Sequence, residues 1–167
     1  MIHVCPLGHL ADTVSAHGLR RVLSLVAAGT AVERPLGVEP QDHLTLHFHD
    51  IVEPLEGHDP PGADQIAEAL AFAARDDGPI LVHCYAGVSR STAMAYAIAC
   101  AREPHRDEAE IAETLRRLSA TATPNRLIVR LADEALGRNG RMVQAIEAIG
   151  RGADCFEGAP FTLRPSR

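Results

Sequence analysis

Short apolar runs alternate with helix-period stretches through the first half of the chain, and beyond residue 90 the helical period takes over. Residues 2–5 (IHVC) and 21–26 (RVLSLV) read as strands, with a short helix over 9–17 between them. In 43–48 (HLTLHF), Leu44, Leu46 and Phe48 alternate with His43, Thr45 and His47, the period of a half-covered strand. The next stretch, EPLEGHDPPG, is too dense in Pro and Gly for a regular element and is expected to be a loop. A helix is expected over 63–75, with Ile66, Leu70, Ala73 and Ala74 on one face and Asp76-Asp77-Gly78 closing it.

Residues 79–83 (PILVH) form an apolar strand that ends directly at Cys84, and 90–102 (RSTAMAYAIACAR) is an alanine-rich helix. Pro104 stops that helix. A further one spans 107–119 on the spacing of Ile111, Leu115 and Leu118. Thr123 and Pro124 resemble an N-cap and first position for a helix over 124–137. The last helix, over 141–150, follows the turn Arg138-Asn139-Gly140, where Arg138 and Arg141 are expected to be solvated. The apolar spacing of these last helices reads as core packing. Alternating strands and helices followed by helices alone predict one α/β domain over 1–167. Its sheet is mostly parallel, of about four to five strands, flanked by helices, with a helical C-terminal half.

Composition adds little to the fold but narrows the partners. With 16 Lys and Arg against 22 Asp and Glu, the net charge of −6 disfavours non-specific attraction to nucleic acid or to an anionic membrane. Any anion must therefore be bound locally. No apolar stretch reaches transmembrane length and the N-terminus lacks a signal-peptide run, so a cytoplasmic location is expected. Cys5, Cys84, Cys100 and Cys155 are too scattered for a zinc finger or a disulfide framework and read as reduced thiols.

The chemistry concentrates in His83-Cys84-Tyr85-Ala86-Gly87-Val88-Ser89-Arg90-Ser91. A small-residue loop between a strand and a helix can turn successive backbone N–H groups inward, and the helix start adds partial positive charge. That favours a phosphate at the loop centre, and the same field favours a thiolate at Cys84. Arg90, at the entry to the helix, can grip two phosphate oxygens with its planar fork, and Gly87 permits the tight backbone path.

The pattern His-Cys, five residues, Arg-Ser resembles the protein tyrosine phosphatase superfamily. The finer sequence His-Cys-x-Ala-Gly-x-Ser-Arg-Ser, with Thr92-Ala93 and Ala95-Tyr96 behind it, is similar to the dual-specificity branch and its small bacterial relatives. The resemblance implies that Cys84 attacks phosphorus and forms a phosphocysteine that water hydrolyses. It implies that Arg90 and the amides of Tyr85, Ala86, Gly87, Val88, Ser89 and Arg90 bind the substrate's oxygens. It also implies that Ser91 helps the thiolate leave and that His83 orients the loop. No cofactor or metal is required by that chemistry.

The superfamily places an acid, an Asp, some thirty residues before the cysteine on the loop after a strand. Asp50 fits, 34 positions ahead of Cys84, with Asp59 and Asp64 as further candidates. His43, His47 and His49 share one strand face; without a second cluster of ligands they read as a polar edge rather than a metal site. Cys5 reads as a buried core thiol, the alternative being a redox partner of the nucleophile. The expected substrate is a phosphorylated protein, with phosphotyrosine or dual specificity. The other readings are a small phosphate and a phosphate-recognition module with little catalysis.

Overall fold

The computed structural model describes residues 1–165. All four expected strands form: β1 (Ile2–Pro6), β2 (Val22–Val26), β3 (His43–His47) and β4 (Ile80–Cys84). They are parallel neighbours in the order β3-β2-β4-β1, with registers such as Val4↔Val82 and Ser24↔His83. A fifth strand, β5 (Phe161–Leu163), runs antiparallel along the outer edge of β1. It was not expected from the sequence, because three residues after a Gly-Ala-Pro stretch carry no measurable alternation.

Six helices follow the expected ranges closely: α1 (Leu10–His17), α2 (Ala63–Ala73), α3 (Arg90–Arg102), α4 (Glu108–Leu118), α5 (Arg126–Ala135) and α6 (Arg141–Ile149). Strand side chains alternate between the two faces of the sheet. Ile2, Val4, Leu23, Leu25, Ile80, Val82 and Cys84 enter the large core shared with α2 to α6. Cys5, Val22 and Leu81 instead meet Leu10 and Val14 of α1, with Leu19 and Val38, on the other face. Helix α3 sits inside the larger layer against β1, β4, α2, α4 and α5. Ala93, Ala95, Ala97 and Ala99 are at most 2% exposed, so small side chains let its neighbours close in from every side.

Two local expectations are corrected. The N-cap of α5 is Asn125, one residue beyond Pro124, and its side-chain oxygen accepts from the amides of Leu127 (3.0 Å) and Ile128 (3.1 Å). Thr123 cannot serve, since its hydroxyl donates to Thr121 O and accepts from Gly152 N. Arg138 is buried rather than solvated, at 7% exposure. Its guanidinium meets Glu108 Oε1 at 3.0 Å and donates to the carbonyls of Cys100 (2.6 Å) and Pro104 (3.1 Å). Carbonyls left open at the end of α3 need donors, and a long cation from the turn between α5 and α6 supplies them. Arg141 is half exposed and pairs with the same Glu108.

Candidate active site

The expected loop joins the C-terminal end of β4 to the first turn of α3. Its carbonyls are held from outside. Tyr85 O accepts from Leu7 N (3.1 Å), Ala86 O from Gly158 N (2.8 Å), Val88 O from Thr123 N (2.9 Å) and Ser89 O from Asn125 N (3.3 Å). A peptide plane directs its N–H opposite to its C=O, so carbonyls bonded to the surroundings leave the amide side turned to the loop centre. Gly87 has φ 70, and a Cβ there would lie 2.7 Å from Pro6 N. Both the left-handed backbone and the close approach to β1 demand glycine. Tyr85 stands exposed at the rim.

Cys84, the last residue of β4, is 1% exposed, and its Sγ lies 3.1 Å from Ser91 Oγ in the first turn of α3. Arg90 opens α3 and is buried. Its Nη1 donates to Phe48 O (3.1 Å), which aims the guanidinium across the loop toward the end of β3. Its Nε is buried with no hydrogen-bond partner. A buried guanidinium N–H left open costs free energy, and an oxyanion at the loop would satisfy it.

Beneath the loop, on the α1 face, His83 Nε2 lies 2.6 Å from Ser24 Oγ, and the same hydroxyl lies 2.7 Å from His43 Nε2. At most one imidazole can accept from the serine, since the hydroxyl carries one proton, so at least one of them donates to it. Burial holds His83 neutral, with its pKa lowered to about 4. It can orient β4 but is poorly placed to carry charge. Cys5 aligns with His83 on this face, opposite in alternation to Cys84, and burial pushes its thiol up to about 12. It is a core thiol. Of the other histidines, His49 Nδ1 accepts from Asp59 N (3.0 Å), and its ring meets His58 edge-on at 4.7 Å.

Asp50, on the loop after β3, reaches the loop between β4 and α3. Its Oδ1 accepts from Ser89 Oγ (2.7 Å) and from Asn125 Nδ2 (2.8 Å), and its Oδ2 lies 4.0 Å from Arg90 Nε. Asp59 is exposed, with its backbone engaged by His49 through both N–H and C=O. Asp64 is exposed in the first turn of α2. The structure thus brings Cys84, Arg90, Ser91 and Asp50 together. Sequence reasoning missed Asn125, Ser24 and the Phe48 carbonyl. Asn125 could have been found: asparagine directly before an apolar helical period is a favoured N-cap.

The protein-tyrosine phosphatase family model matches residues 43–122, a span that contains Asp50, Cys84 and Arg90. Comparison with curated protein sequences yields no match. Among solved structures, the Cydia pomonella PTP-2 phosphatase is similar at TM-score 0.63 and 21% identity, over 80% of this chain and 84% of that one. The dual-specificity phosphatase DUSP15 gives 0.62 and 17%, over 88% and 90%. PTPMT1, solved in complex with PI(5)P, gives 0.58 and 18%, over 87% and 90%. At these identities the likeness is one of fold.

Proposed function

We infer that this chain, which resembles the protein tyrosine phosphatase superfamily over residues 43–122 and the dual-specificity phosphatases in fold, is a cysteine-dependent protein phosphatase. The observation that carries the reading is the pairing of Cys84 Sγ, 3.1 Å from Ser91 Oγ, with an Arg90 guanidinium whose buried Nε has no hydrogen-bond partner.

In the first step the Cys84 thiolate forms a bond to phosphorus as the ester P–O bond breaks, and Asp50 gives its proton to the leaving oxygen. Arg90 and the loop amides of residues 85–90 stabilise the charge on the equatorial oxygens. In the second step Asp50 takes a proton from water as the water oxygen bonds to phosphorus and the P–S bond breaks. The Ser91 hydroxyl, already beside the sulfur, stabilises the departing thiolate. Hydrolysis releases phosphate and restores the free thiolate.

Cys84→Ser is expected to abolish turnover of an aryl phosphate while leaving vanadate or substrate binding in place. Full activity in that variant would sink the mechanism. Absence of turnover by the unmodified chain at every pH would leave a phosphate-recognition module instead. The PTPMT1 complex with PI(5)P supports a second substrate class, a small phosphate. The loop residues Tyr85, Ala86, Val88 and Ser89 offer no cation for extra phosphates, which favours a phosphorylated side chain. Rates on phosphotyrosine, phosphoserine and phosphothreonine peptides, set beside those on a monophosphorylated inositol lipid, distinguish the two.

A further inference from the structure

Among the described residues, the carboxylate of Asp50 is hydrogen-bonded through one oxygen only. Oδ1 accepts two hydrogen bonds, from Ser89 Oγ and Asn125 Nδ2, while among the described residues Oδ2 accepts none and lies toward Arg90 Nε. The orientation of the Asn125 amide is determined by chemistry. Its oxygen must face the amides of Leu127 and Ile128, which can only donate, so its NH2 group must face Asp50. That NH2 also reaches Ile51 O at 3.3 Å, and the Asn125 backbone N–H is bonded to Ser89 O. Asn125 is 4% exposed. It therefore joins the loop after β3, the phosphate loop and the start of α5 through a side chain with no freedom to turn.

We propose that Asn125, together with Ser89, is a positioning residue that fixes Asp50 by Oδ1 and so makes Oδ2 the oxygen that delivers and recovers the proton. An oxygen that already accepts two hydrogen bonds is the poorer site for a proton, because the amide donor cannot reverse its role. Oδ2, on the side of Arg90, is the oxygen that accepts no hydrogen bond among the described residues. The inference rests on the reading of Asp50 as the acid.

The test compares two esters: phenyl phosphate, whose leaving oxygen needs protonation, and an aryl phosphate activated by electron-withdrawing groups, which needs it less. Asp50→Asn, Asn125→Ala and the double variant are measured on both, with thermal melts as a folding control. Asn125→Ala is expected to lower kcat on phenyl phosphate by about 10-fold or more, part of the roughly 10²- to 10⁴-fold typical of acid–base help. On the activated ester the loss should stay within about 3-fold, with KM little changed. The double variant should be no slower than Asp50→Asn alone. Because Asn125 also caps α5, Ser89→Ala, whose side chain makes no cap bond, runs the same cycle should Asn125→Ala fail to fold. Equal losses on the two esters, or multiplying losses in the double variant, overturn the positioning role. If Asp50→Asn itself slows both esters equally, the acid assignment falls, and the positioning role with it.

Discussion

His83 sits directly before Cys84 and lies wholly inside the protein. Its folded pKa is about 4, lowered first by burial, against an ordinary value of 6.5. Between those two pH values the unfolded chain binds a proton that the folded chain does not, so folding stability falls as pH drops from 6.5 toward 4 and is fully present above 6.5. The full difference amounts to roughly 3 kcal/mol. His3, also lowered to about 4 chiefly by burial, adds to the loss in the same window, so urea unfolding at pH 7 and pH 4.5 should show at least most of this difference, and a flat profile would contradict a neutral His83. At Ser91 the prediction is kinetic. With Ser91→Ala, loss of the hydroxyl 3.1 Å from Cys84 Sγ should slow release of the phosphocysteine more than its formation, seen as a larger burst of aryl alcohol before a slower steady rate.

Among the elements, the joint formed by α3, α4 and the turn before α6 depends on one buried pair. Glu108 is desolvated, which by itself would raise its pKa, yet hydrogen bonding to Arg141, backbone bonding and the charges of Arg141 and Arg138 outweigh burial and lower it. Glu108→Ala would leave Arg138 buried and unpaired, at an expected cost of about 3–5 kcal/mol, measured by denaturant unfolding. A loss below about 1 kcal/mol would mean that Arg138 is satisfied by the carbonyls alone. This joint was illegible in the sequence, because Arg138 beside Asn139-Gly140 carries a local turn signal and no trace of an acid thirty residues away. The strand, loop and helix around Cys84 were legible because each rests on adjacent residues. The Asp50 assignment came from the superfamily spacing, whereas its two donors came from segments that only the fold brings together. The short β5 stayed hidden for a related reason: its strand character comes from the open edge of β1 rather than from its own residues.

For the whole molecule, the net charge is negative, whereas the groups gathered at the loop are hydrogen-bond donors. The chain carries −6 overall, yet the loop concentrates amides and a guanidinium at one end of the sheet. An oxyanion that binds there and not to the unfolded chain must raise stability by mass action. At 100 times its Kd, vanadate should add about 2.7 kcal/mol. For a chain of this size that is a rise in Tm of about 5–10 °C. Arg90→Met should erase the rise while leaving the ligand-free melt within a few degrees.

Helix α3 carries a consequence of another kind. Walled in by the sheet and by three other helices, its run of alanines has no volume to spare for a methylene. In a saturation library, positions 93, 95, 97 and 99 should tolerate little beyond glycine, serine and cysteine, while the rim around Tyr85 and the loop at 52–58 should vary freely. A lineage built on this frame would then diversify its choice of substrate by editing the rim alone, with the floor of the pocket inherited unchanged.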